Sequence, residues 1–190
     1  MNMEDASSVS IEIVVREDGR ISIDGGGAIQ INVDGRRLNK YLDKDDNTHD
    51  DSGLVYGWKG YTGDDIVADI TSILKTTHEI ISERHIYGEK IVQFAGYNDY
   101  LVLEYLGDNK MRIAFRCTKA IDEDYKSDDS DSIPEPWSAC GKVVGLKDWV
   151  TELVDTSAEL QEELERNEEE GNAEWISDKT KPLRDFLDQK

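Results

Sequence analysis

The stretch EKIVQFAGYNDYLVLEYLGDNKMRIAFRCT, residues 89–118, decides the fold. In its last third Met111, Ile113, Phe115 and Cys117 alternate with Arg112, Ala114, Arg116 and Thr118. This is the period of two expected of a strand with one buried face. Gly107, Asp108, Asn109 and Lys110 are turn-forming types, so the run 100–106 should reverse into 111–117 through a tight hairpin. The first run, 90–95, is apolar on both faces: Ile91 and Ala95 on one, Val92 and Phe94 on the other. That pattern predicts a strand covered on both sides or central in a sheet. With a turn at Gly96, Tyr97, Asn98 and Asp99, the three runs make an antiparallel meander, and Cys117 falls on its buried face.

Upstream, Val9, Ile11, Ile13 and Val15 alternate with polar neighbours. Asp18-Gly19 is a hairpin signal that should pair this run with Ile21 and Ile23. Ile29, Ile31 and Val33 resume the pattern after Gly25-Gly26-Gly27, which reads as a bulge or a turn, and Asp34-Gly35 ends it. Ile66, Ile70, Ile73, Leu74, Thr77 and Ile81 then fall on one helical face, predicting a helix over 64–85 that covers the meander. A second helix is expected over 145–167, opened by Gly145, with Leu146, Trp149, Val150, Leu153, Leu160 and Leu164 as its apolar stripe and Gly171-Asn172 as its stop. Trp175, Ile176, Leu183, Phe186 and Leu187 suggest a short docked helix beyond it. The fold class is α+β: an antiparallel sheet of about five to seven strands with two main helices packed on it. Its expected organisation is a frayed segment 1–8, a single domain over 9–170 with acidic loops at 43–53 and 120–133, and an appendage over 171–190.

The 190 residues carry 42 Asp and Glu against 22 Lys and Arg, a net charge of −20. Such a surface repels nucleic-acid phosphates and anionic lipid, so direct nucleic-acid or membrane partners are not expected and a basic protein partner is favoured. Adaptation to a saline environment accounts for the same charge. Two cysteines are too few for a secreted disulfide scaffold, and no apolar leader opens the chain, so a cytoplasmic location is expected.

No catalytic motif, metal-ligand pair or cofactor signature appears. Asp43, Asp45, Asn47, His49 and Asp51 have calcium-loop spacing, but Thr48 stands where the loop needs Gly and Leu54 where it needs Glu. His78 and Glu79 lack the partner histidine that zinc would require. The partner-binding residues expected from the sequence are the glycine-spaced aromatics Tyr56, Trp58 and Tyr61, the acids Asp128, Asp129 and Asp131, and Trp137 behind Pro134 and Pro136. Lys110, Arg112 and Arg116 form a cationic stripe that should pair across the sheet with Glu104, or else receive an anion or the chain's own 122–131 acids.

The plan resembles, in type and without a shared motif, that of bacterial immunity and inhibitor proteins. The reading is a non-catalytic acidic protein that occludes a basic protein partner in the manner of an immunity protein, antitoxin or inhibitor, with nucleic-acid mimicry as a variant. The alternatives are a salt-adapted cytoplasmic protein and a metal-dependent hydrolase built on Asp43 and Asp45.

Overall fold

The computed structural model describes residues 6–15, 27–38, 41–42, 63–83, 88–93, 99–117, 133–134 and 140–189. Within them the fold is α+β. In chain order the elements are β1 (Val9–Val15), β2 (Gly27–Val33), β3 (Arg36–Arg37), β4 (Tyr41–Leu42), α1 (Gly63–Ser82), β5 (Glu89–Gln93), β6 (Asp99–Gly107), β7 (Lys110–Cys117), β8 (Ile133–Pro134), β9 (Lys142–Gly145), α2 (Leu146–Arg166) and α3 (Glu170–Asp188). The strands expected in one sheet distribute over three, ordered β1-β2-β3, β4-β8 and β5-β6-β7-β9.

The meander forms as its alternation predicts. β6 and β7 pair antiparallel with Leu101 opposite Phe115 and Leu103 opposite Ile113, and all four side chains are fully buried. Asp108 and Asn109 join them at φ 47° and 59°, the left-handed pair that a two-residue hairpin loop demands. β9, too short to stand out as a strand by pattern, adds a fourth member beside Lys110 to Ile113 of β7.

The first run departs from expectation. β5 is an edge strand paired with β6 alone, so only one of its faces meets the core: Val92 is buried, while Ile91 is 60% exposed. A short apolar run does not distinguish a doubly covered strand from one with a single apolar outlier, and here the outlier faces outward. At the rim, Lys90 pairs with Glu83 at 2.9 Å and with Glu79 at 3.7 Å.

β1 and β2 present Val9, Ile11, Ile29, Ile31 and Val33 to the core. Their ladder runs from Val9 opposite Val33 to Val15 opposite Gly27. The partner of β1 is therefore the run beginning at Gly27. The Asp18-Gly19 turn, the Ile21 and Ile23 run and the rest of the glycine triplet lie outside the described residues. Asp34-Gly35 does turn the chain, with both residues at positive φ.

The outer edge of β1 is closed by α2. The Ile11 N–H donates to Glu152 Oε2 at 3.4 Å, and the Ile11 carbonyl accepts from Thr156 Oγ1 at 2.8 Å. Side chains of a crossing helix thus satisfy backbone groups that an edge strand would leave open. The two larger sheets meet at one parallel bridge between Ser7 and Val144, where the Ser7 N–H donates to the Val143 carbonyl at 3.0 Å.

The helices fill the remaining side. α1 buries Ile66, Val67, Ile70, Ile73, Leu74 and Ile80, a wide arc because it packs on β5 and on α3 at once. Its many β-branched residues are mediocre helix formers, so this packing carries its stability. Trp149 of α2 is fully buried, as are Leu146, Val150 and Leu153 to within 1%.

α2 ends at Arg166, before the Gly171-Asn172 pair expected to stop it, and those two residues lie in the first turn of α3. Glu168 takes the left-handed position at φ 64°. The Glu169 N–H donates to the Leu164 carbonyl at 2.8 Å and the Glu168 N–H to that of Glu165 at 3.1 Å. This is the Schellman closure of a helix, with glutamate where glycine is usual. α3 is a full helix of 19 residues, with Ala173, Ile176, Thr180, Leu183 and Phe186 buried. Pro182 within it has no N–H for the carbonyl of Asp178, an exposed residue.

Candidate functional site

Every partner-binding residue expected from the sequence, namely Tyr56, Trp58, Tyr61, Asp128, Asp129, Asp131 and Trp137, lies outside the described residues. So do Asp43 and Asp45 of the alternative metal loop. The cationic stripe is described. Arg112 pairs with Glu104 at 2.6 Å and Arg116 with Glu89 at 3.2 Å, so cross-strand pairing holds for both arginines. The 122–131 acids lie outside the described residues.

The structure places a different surface on the helical hairpin α2–α3. From Leu146 to Asp188 the chain carries fourteen Asp and Glu against five Lys and Arg. Apolar stripes pack the two helices together through Leu160, Leu164, Ala173 and Ile176, which forces the acids outward. Between the helices lies a cleft of about 590 Å³ lined by Glu165, Glu170, Glu174 and Asp178 together with Gln161, Ala173 and Ser177. No lysine or arginine is among these lining residues. Gln161 Nε2 donates to Glu165 Oε1 at 2.9 Å, so that carboxylate is held in place. Arg166, the nearest cation in sequence, is engaged by Glu162 and Glu163 instead.

Trp175 stands on the same helix and is 43% exposed. The expectation that it docks with Ile176 fails on phase. Ala173, Ile176, Thr180 and Leu183 recur at three and four residues, and Trp175 is one position, about 100°, out of step with them. Asp178 lies three residues on, where side chains on a helix are neighbours. An exposed indole flanked by carboxylates supplies an apolar face together with acceptors for ammonium or guanidinium groups.

Among the described residues no three His, Cys, Asp or Glu side chains converge closely enough to hold a metal ion. Cys140 is an exposed free thiol, and the Cys117 side chain lies outside the described ones. No described helix is long and apolar enough to cross a membrane. No protein-family model, curated protein or solved structure matches the chain at a significant level.

Proposed function

We propose that this chain is a non-catalytic acidic binding protein that engages and occludes a basic surface of a protein partner, as immunity proteins, antitoxins and inhibitors do. The observation that carries the reading is Trp175, an exposed tryptophan on the helix whose Glu170, Glu174 and Asp178, with Glu165 of α2, line a cleft that no lysine or arginine lines. Exposed aromatics are the side chains most often found to anchor protein interfaces, and surrounding charge speeds encounter more than it adds affinity. The two larger sheets, meeting at Ser7 and Val144, serve as one support for the helical hairpin. A cytoplasmic location belongs to the same reading.

The test is capture of cationic proteins from a low-salt lysate, followed by measured binding of the captured partner. Trp175→Ala should weaken that binding by about 2 kcal/mol or more, as loss of an interface anchor does. Raising salt from 0.05 to 0.5 M should slow association, since screening shortens the reach of exposed charge to roughly 10 Å at 0.1 M. Unchanged affinity in the Trp175 variant, together with a salt-independent association rate, would sink the proposal.

The competing reading, a surface adapted to salt, makes a separate claim. It requires the isolated protein to melt many degrees higher in molar potassium chloride than in dilute buffer, because self-repulsion is relieved.

A further inference from the structure

The junction of the two larger sheets is held by a small set of polar contacts centred on Asp34. This residue opens the β2–β3 turn at φ 53°. Its backbone N–H donates to the Ser8 carbonyl at 2.9 Å. Its carboxylate accepts from the Ser8 N–H at 2.9 Å and from Ser8 Oγ at 3.2 Å. The Ser7 hydroxyl and the Lys142 ammonium of β9 also favour the charged form of this carboxylate. Asp34 thus ties the residues before β1 to the turn after β2, and Ser7 ties those same residues to β9.

The segment so held is thin. Ala6 and Ser8 are exposed, Ser7 is half-buried, and none contributes an apolar group to the core. Ser7 nevertheless occupies the outer edge of β9, where it takes up the Val143 carbonyl. Neighbouring Val144 and Leu146 are buried in the core, so β9 itself is anchored and the segment across it is not.

We infer that residues 6–8 are a detachable strap over the edge of β9, with Asp34 as its clasp, so that the strap opens while both sheets stay folded. Local opening of this kind draws on segments with exposed backbone hydrogen bonds and little apolar burial, and these are the properties of residues 6–8. Opening bares the outer edge of β9 beside Gly141 and the exposed Cys140, and strand edges of that kind pair with other chains. The inference does not depend on the proposed partner-binding role, which rests on the opposite end of α2.

Hydrogen exchange on the full chain tests it. Asp34→Gly removes every acceptor of the clasp while suiting the left-handed turn, so the hairpin is kept. Asp34→Asn is the milder second variant. In both, the Ser7 and Ser8 amides should exchange at least about tenfold faster than in the unaltered protein, with the larger effect in Asp34→Gly. The Leu101, Ile113 and Phe115 amides should keep their rates. If strap and core amides accelerate by the same factor, the strap opens only with global unfolding and the inference is wrong. Unchanged Ser7 and Ser8 rates in both variants would show that Asp34 is no clasp.

Discussion

Trp149 Nε1 donates to Thr77 Oγ1 across 3.1 Å, joining α2 to α1 where both side chains have no exposure at all. A buried indole N–H has no water to turn to, so removing its acceptor costs more than the bond contributes. Thr77→Val, which keeps the shape and deletes the oxygen, should lower unfolding free energy by about 1–3 kcal/mol. Thr77→Ser keeps the oxygen and loses one methyl, and should cost roughly 1 kcal/mol. Urea midpoints of the two variants distinguish the effects, and equal losses would mean that packing rather than the hydrogen bond matters here.

Glu168 closes α2 in a conformation that side chains with a Cβ adopt at a cost of roughly 1–2 kcal/mol. Its side chain is exposed and adds to a run of three glutamates. Glu168→Gly should therefore stabilise the protein by about 1 kcal/mol, raising the melting temperature by a few degrees. A lower melting temperature would show that the carboxylate makes a compensating contact.

Arg112 and Arg116 are each about a third or more exposed, as is Glu89, so their ion pairs act through water. Changing both to Gln should cost about 0.2–1 kcal/mol per pair, and most of the loss should vanish in 1 M salt. A loss that persists in molar salt would point to packing of the arginine stems over the sheet, where Val102 and Ala114 are buried.

Two groups give opposite pH signatures. Hydrogen bonds from Ser7, opposed by partial burial and joined by those of Ser8 and the charge of Lys142, hold the Asp34 carboxyl below its ordinary value of 3.8. Its contribution is present above that value and fades as pH falls through the lower folded one. The stability gap between the native chain and Asp34→Asn should close only in acid. Lys90, hydrogen-bonded to Glu83, is raised above 10.5. Its contribution is complete below that value and fades as pH rises through the higher folded one, so the gap to Lys90→Met should close only in alkali. Denaturant midpoints across the pH range check both, and a gap closing at the other end would refute the assignment.

β6, β7, the β1 and β2 faces and helices α1 and α2 were legible because a period of two or of 3.6 persists over seven or more residues in each. β9 was not, since four residues carry too little pattern. The span of α2 agrees with the expected 145–167, but its closure is made by hydrogen bonds from Glu168 and Glu169 and not by Gly171-Asn172. Trp175 is apolar like the docked Ile176 and Leu183, but its phase against Ala173 and Ile176 places it outside. The junction of the two larger sheets depends on a contact between residues 7 and 144, and no local pattern reports such a contact.

The closure of β1 by α2 has a consequence for how the chain is made. Ile11 waits for Glu152 and Thr156, residues 141 and 145 positions later. At roughly 5–20 residues per second, a ribosome takes about 7–30 s to supply them. During that interval the β1–β2 hairpin can form, but its outer edge has no helix to shield it. The newborn N-terminal half is thus the stage at which this protein most needs to be kept apart from its own copies, and most of the acidic charge that would help do so has yet to be made.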